Sequence, residues 1–186
     1  MDDDLLNKSL SLKRRFEDRE SGRDYWYSKI KCELEVGAAL EVLRTVGHSV
    51  EQLTARAKDD PPDCEALVDG QRCGIEVTEF VHQTALQLSN QRGECHFAWE
   101  RDDFAQELRK RIDRKDRPGG VKGGPYQRYF LVIVTDEMFL DRNTVERFLA
   151  DLSFQTRLIT DVLFGISYDP SIKRCPVLRV PVTLRA

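Results

Sequence analysis

The chain has 186 residues, of which 40% are hydrophobic, and this size suits one domain with a substantial core rather than two large domains. Its 29 basic and 32 acidic side chains leave a net charge of only −3, so the overall charge predicts no polyanionic partner and any nucleic-acid surface must be local. We expect a cytoplasmic protein with no membrane partner, because the acidic start lacks an apolar signal core, no apolar run has the length of a membrane span, and the five scattered cysteines are typical of a reducing compartment.

Two helical segments open the chain. Residues 1–23 carry a weak helical spacing of leucines and are interpreted as an N-terminal helix or arm. The strongest helical pattern follows, from Asp24, a suitable N-cap, to Gly47, a suitable glycine after a helix end. We therefore expect a single domain over residues 24–186, preceded by this arm.

Strands and helices alternate in the rest of the chain. In order, we expect a short strand in 49–57, a hairpin in 64–80, a helix over 98–115, a Gly-rich loop over 118–125, a strand over 128–137, a helix near 143–152, and strands near 161–168 and 177–184. The strand that begins at Arg128 is nearly continuously apolar, which indicates that helices cover both of its faces. This order predicts an α/β fold with a mixed β-sheet flanked by helices.

Two carboxylates are expected to face each other across the hairpin. Asp69-Gly70 suits the two positive-φ positions of a type I′ turn, which sets the register of the two strands. In that register Asp63 lies opposite Glu76 on the same face, with Cβ atoms about 4.5–5.5 Å apart. Like charges at this distance need a proton or a cation between them, and a hard divalent ion such as Mg²⁺ or Mn²⁺ suits carboxylate oxygens. The alternative is that Glu76 lies on the solvated face of an edge hairpin.

The residues around this pair resemble the signature of the PD-(D/E)XK nuclease-like superfamily. Pro62-Asp63, the hairpin and the run Ile75-Glu76-Val77-Thr78 follow that signature, and the likeness spans residues 24–135 through an α-β-β-β-α-β order of elements. The resemblance implies a restriction-endonuclease-like core, metal binding by Asp63 and Glu76, and Mg²⁺- or Mn²⁺-dependent hydrolysis of phosphodiester bonds in DNA or RNA. Thr78 stands at the position of the family's lysine, and its hydroxyl is a weaker candidate for orienting the nucleophile. A catalytically inactive module of this fold, which binds nucleic acid or a protein partner, is therefore the alternative function.

Two further ionisable residues fall on apolar helix faces. Glu35 shares a stripe with Ala38 and Val42, and the resemblance implies that a glutamate of the first helix points at the metal site. The alternative is a glutamate at the edge of the stripe that reaches water. Lys115 continues the apolar stripe of the second long helix, and the resemblance implies that it replaces the lysine missing at Thr78. The alternative is a lysine that is favoured at the helix end by the helix dipole.

The strongest basic cluster lies at the end of the second long helix and in the Gly-rich loop. Between residues 109 and 122, seven basic residues stand against two acidic ones. The residues assigned to nucleic-acid binding are Arg109, Lys110, Arg111, Arg114, Arg117 and Lys122. They would hold phosphates through charge and backbone N–H groups without reading bases, and a plain solvated helix face is the alternative. The sequence is compatible with a monomer or a homo-oligomer.

Overall fold

The computed structural model describes residues 31–56, 61–82, 98–167, 169, 172 and 174–185. The helices are α1 (Lys31–Thr45), α2 (Arg101–Lys115) and α3 (Arg142–Leu149), with a 3-10 turn at Pro118–Gly120. The strands are β1 (Val50–Ala55), β2 (Cys64–Val68), β3 (Gln71–Glu79), β4 (Arg128–Thr135), β5 (Phe154–Thr156), β6 (Asp161–Ile166), β7 (Val177–Val180) and β8 (Val182–Leu184). The predicted arm over 1–23 and the predicted helix start at Asp24 lie outside the described residues.

Six strands form one mixed sheet in the order β1-β2-β3-β4-β6-β7. The first three are antiparallel, β3, β4 and β6 are parallel to one another, and β7 runs antiparallel to β6. Strands β5 and β8 form a separate, parallel pair. The prediction of an α/β fold with a mixed sheet flanked by helices is confirmed.

Apolar clusters cover both faces of the large sheet. On one face, α1 packs through Ala39 and Leu43 against a cluster that includes Ile75 and Val77. On the other face, the side chains of α2 and α3 form a second cluster around Phe104. Strand β4 contributes buried side chains to both clusters, as its continuous apolar run predicted. None of the helices in the described part of the chain is long and apolar enough to cross a bilayer.

Two glycines occupy turns that the sequence predicted. Gly47 has a φ of 92°, and the amide of His48 donates to Leu43 O at 3.1 Å, as in a Schellman helix end. Asp69 and Gly70 have φ values of 52° and 77°, the two positive values that a type I′ turn requires. The turn therefore sets the hairpin register as predicted.

The C-terminal strands differ from the prediction. The single strand predicted over 177–184 is divided at Pro181 into β7 and β8, which belong to different sheets. Proline lacks the N–H group that a continuing ladder needs, and this explains the division. The short strand β5 was not predicted, because three residues are too few to display an alternating pattern.

Candidate active site

Asp63 and Glu76 meet at the open end of the hairpin formed by β2 and β3. The strands pair in the predicted register as far as Cys64 and Ile75, so these two acidic residues are the next opposed positions. Asp63 Oδ2 accepts a hydrogen bond from the amide of Val77 at 2.8 Å. The Glu76 side chain is 3% exposed and that of Asp63 is 23% exposed. The pair therefore joins a buried carboxylate to one that solvent reaches.

Lys115 supplies a cation to both carboxylates. It is the last residue of α2, and its Nζ contacts Glu76 Oε2 and lies 3.5 Å from Asp63 Oδ2. Phe104 and Leu108 are fully buried on the same helix, and this stripe directs the lysine toward the sheet. The positive charge that the sequence predicted between the two acids is thus provided by the chain itself in this structure.

The electrostatic environment of Glu76 combines burial with two donors. Burial raises the pKa of Glu76, and the nearby Asp63 raises it further, whereas the ammonium group of Lys115 opposes both effects. The hydroxyl of Tyr129 donates to Glu76 Oε1 at 3.1 Å. Burial and the Glu76 carboxylate raise the pKa of Tyr129, so its phenol keeps its proton and remains a donor. Each oxygen of Glu76 is therefore bound by a different group.

A glycine makes room for this tyrosine. A Cβ at Gly74 would lie 2.7 Å from Cε2 of Tyr129 and 3.2 Å from Cγ of Pro62. The missing side chain lets the ring cross β3 and reach Glu76. Gly74 and Tyr129 were not among the predicted site residues, although a glycine inside a strand is a signal of close approach.

The end of α2 is held in place by Asp116. Its carboxylate accepts backbone N–H groups from Arg157 at 2.7 Å, Leu158 at 2.8 Å and Ile159 at 3.1 Å. These bonds join the helix end to the segment that enters β6, and they restrain the neighbouring Lys115. In the sequence, Asp116 stands out only as one of the two acidic residues within the basic cluster, and these bonds were not predicted.

The Gly-rich loop lies against the turn that carries Asp63. The amide of Lys122 donates to Pro61 O at 2.9 Å. The hydroxyl of Tyr126 donates to Lys122 O at 3.0 Å and lies 3.2 Å from a carboxylate oxygen of Glu65. The loop backbone therefore forms one side of the site.

Thr78 lies on the same sheet face as Glu76, whereas Glu35 approaches the sheet from the opposite side. Thr78 is buried on the face of Glu76, and its Oγ1 accepts a hydrogen bond from Arg114 Nη2 at 3.3 Å. Glu35 is 7% exposed, as its apolar stripe predicted, but α1 covers the sheet face of Ile75, opposite to that of Glu76. The two glutamates therefore approach the sheet from different sides, and a role of Glu35 at the metal stays a prediction.

The predicted basic cluster divides into exposed and buried residues. Arg111 is only 8% exposed, and its Nε donates to Glu107 at 2.8 Å, so it does not belong to an exposed phosphate-binding surface. This corrects its assignment, because it lies beside Ile112 on the inward side of α2. The exposed members are Arg109, Lys110, Arg114, Arg117 and Lys122. They lie along the second half of α2 and in the segment that follows it.

A second group of acids lies where β3 and β4 end. Burial and, to a smaller extent, the nearby Asp136 raise the pKa of Glu79 to about 8, while Arg111 opposes the shift. Burial also raises the pKa of Glu137, whose Oε1 accepts a hydrogen bond from the amide of His82 at 2.6 Å. These carboxyls are pH-sensitive elements of the fold, separate from the Asp63 and Glu76 pair.

The donor set at Asp63 and Glu76 fits a hard divalent ion. Within the described ranges, no group of three or more His, Cys, Asp or Glu side chains is placed to hold a metal. Mg²⁺ in proteins is, however, commonly held by one or two carboxylates together with waters and substrate phosphates. Asp63 and Glu76 are two adjacent carboxylates of this kind, and in this structure the ammonium group of Lys115 contacts both of them.

Comparisons with protein-family models, with curated proteins and with solved structures find no match to this chain. The functional assignment therefore rests on the residues and geometry of the site.

Proposed function

We propose that the protein is a metal-dependent nuclease with a restriction-endonuclease-like core, which hydrolyses phosphodiester bonds of DNA or RNA. The observation that carries the proposal is the convergence of Asp63, Glu76 and Lys115, since an acidic pair on a hairpin and a lysine from α2 together supply the groups that the signature requires. The order α1-β1-β2-β3-α2-β4, with β3 parallel to β4, supports the same class. Lys115 takes the role of the signature's lysine, whose position in the chain is occupied by Thr78.

Asp63 and Glu76 would hold Mg²⁺ or Mn²⁺. An ion bound there supplies charge neutralisation at the phosphate and a lowered pKa for water. The amide of Val77 holds Asp63 Oδ2 and the hydroxyl of Tyr129 holds Glu76 Oε1, so both carboxylates are oriented before any ligand arrives.

Hydrolysis forms a bond between a water oxygen and phosphorus and breaks the bond from phosphorus to one sugar oxygen. The water loses a proton, and the departing sugar oxygen gains one. The Lys115 ammonium group is close enough to both carboxylates to orient the attacking water or to bind the charged phosphate oxygens. Thr78, whose hydroxyl accepts a bond from Arg114, is the weaker candidate for this role.

The proposal is tested by Mn²⁺ calorimetry and by cleavage of labelled single- and double-stranded DNA and RNA. We expect Asp63→Asn, Glu76→Gln and Lys115→Met each to lower cleavage by about 100-fold or more, and Glu76→Gln to weaken Mn²⁺ binding. The control is Glu51→Gln, an exposed carboxylate of β1. Metal-dependent cleavage that survives Asp63→Ala in a clean preparation would overturn the assignment.

A catalytically inactive module of the same fold, which binds nucleic acid or a protein partner, is the second candidate. The observation that favours it is the contact of Lys115 with both carboxylates, because this contact offsets part of the charge of the pair without a metal. The same calorimetry separates the two functions. An inactive module shows no tight Mn²⁺ binding and keeps its affinity for nucleic acid in Glu76→Ala.

A further inference from the structure

An open cavity of about 330 Å³ lies next to Tyr129, the residue that binds Glu76. The Gly-rich loop, the start of β4 and the segment before β6 line it. The lining residues that matter for its chemistry are Val121, Tyr126, Tyr129, Leu158 and Thr160.

Tyr129 connects the cavity to the candidate active site. Tyr129 is one of the residues that line the cavity, its side chain is almost fully buried, and its hydroxyl donates to Glu76. The loop that forms another wall is bonded through the amide of Lys122 to Pro61, two residues before Asp63. A ligand in the cavity would therefore be separated from the acidic pair by the side chain of Tyr129.

The walls suit a flat heterocycle with polar edges. The partly exposed ring of Tyr126 meets the buried ring of Tyr129 edge to face, with centroids 6.0 Å apart, and Val121 and Leu158 add apolar surface. Aromatic rings stack nucleobases of any sequence, because each base has a π-face. The Thr160 hydroxyl is already bonded to Tyr129 and Asp161, so polar contacts to a ligand would come from the loop that carries Gly124 and Gln127. Ligand pockets range from about 300 to 1,000 Å³, so this cavity is at the small end and has room for one base rather than a base pair.

We propose that this cavity receives one unpaired nucleobase of the strand whose phosphate is cleaved at Asp63 and Glu76. The inference rests on the proposed function and narrows its substrate to single-stranded or locally unpaired nucleic acid, in which a base is free to turn out of the stack. Lys122 and Arg117 lie exposed on the loop and at its start, where they would contact the adjacent phosphates.

The test compares the binding of adenosine and uridine 5′-monophosphate with that of ribose 5-phosphate, without metal, by calorimetry and by NMR of labelled protein. We expect both nucleotides to bind about tenfold or more tightly than ribose 5-phosphate, because only they carry a base. Filling the cavity with Val121→Trp should bring nucleotide affinity down to that of the sugar phosphate, whereas Phe139→Trp, at an exposed position outside the cavity lining, should leave it unchanged. Equal binding of all three compounds, or nucleotide affinity unaffected by Val121→Trp, would overturn the proposal.

A second pair of variants keeps the test decisive if Val121→Trp does not fold. Tyr126→Ala removes a ring from the wall and should weaken nucleotide binding about tenfold, while Tyr126→Phe keeps the ring and should retain it. Equal affinities of these two variants would contradict the stacking role.

The failure of this inference is distinguishable from the failure of the nuclease proposal. Nucleotide binding is measured without metal and is repeated in Glu76→Gln, which cannot cleave under the proposed mechanism. If the protein cleaves nucleic acid with metal but binds nucleotides no better than ribose 5-phosphate, only the proposal of a base-binding cavity is overturned. If it binds nucleotides through the base but does not cleave, the cavity proposal is supported and the nuclease proposal is overturned.

Discussion

The hydroxyl of Tyr129 donates to Glu76 Oε1 at 3.1 Å, although the two residues are 53 positions apart in the chain. The parallel pairing of β3 with β4 brings them together, and the bond is buried. The phenol therefore holds this carboxylate in position. Burial raises the pKa of the same carboxylate, and the ammonium group of Lys115 lowers it. Four predictions follow from this site and its surroundings.

Tyr129→Phe removes the donor and keeps the ring. We expect a loss of about 1–3 kcal/mol in the free energy of unfolding, because a buried carboxylate oxygen loses its partner. Mn²⁺ affinity should fall by about 10- to 100-fold, as for other residues that orient metal ligands. Urea unfolding and calorimetry measure the two effects. Tyr126→Phe is the control, because its hydroxyl lies in a less buried place, and equal losses in both variants would contradict the prediction.

Gly74→Ala forces the Tyr129 ring away from Glu76. The new Cβ would lie 2.7 Å from the ring, so we expect a destabilisation of about 1–3 kcal/mol and weaker Mn²⁺ binding. Gly119→Ala is the matched control, because a Cβ there meets nothing within 4 Å. If both alanine variants unfold at the same urea concentration, the ring is not confined as the structure indicates.

Glu79 should make stability depend on pH. Its pKa is raised from the ordinary 4.5 to about 8, so the folded protein holds a proton that the unfolded chain releases in this window. The free energy of unfolding should therefore fall as pH rises from 4.5 to 8, by at most about 1.4 kcal/mol per pH unit for this group. Glu79→Gln should flatten the decline measured by urea unfolding at several pH values. The exposed Glu41→Gln should leave it intact, and an unchanged slope in Glu79→Gln would refute the assignment.

Exposed basic residues around Lys115 should determine the salt dependence of nucleic-acid binding. Lys122→Gln and Arg117→Gln should each reduce the slope of log affinity against log salt by about 0.7–0.9, since each removes one phosphate contact. The control is Arg142→Gln on α3, whose side chain pairs with Glu146 at 2.8 Å. Fluorescence anisotropy at several salt concentrations measures the slopes. Slopes that change equally in all three variants would place the binding surface elsewhere.

Local patterns were sufficient to predict the acidic pair and its lysine. The turn at Asp69-Gly70 determined the register, and the register places Asp63 opposite Glu76. The helical period of α2 directed Lys115 inward, where it contacts both acids. Each of these inferences depends on a short segment with one dominant periodicity.

Contacts between distant segments could not be predicted in this way. Tyr129 lies in a strand buried on both faces, where a continuous apolar run does not reveal which face each side chain occupies. The sheet face that α1 covers, and with it the side from which Glu35 approaches, depends on the packing of the whole domain. Arg111 was assigned to the surface because charge, rather than its position on the helix, was the basis of the prediction.

The three amides that Asp116 binds connect the segment 157–159 to the end of α2, which carries Lys115. Deleting one residue there would remove or displace these bonds, and we expect the last turn of α2 to lose this restraint. The ammonium group of Lys115 would then withdraw from the acids while the acids themselves stayed in place. Because the bonds are made by backbone amides, we expect the length of the segment 157–159, more than its side chains, to determine the position of Lys115.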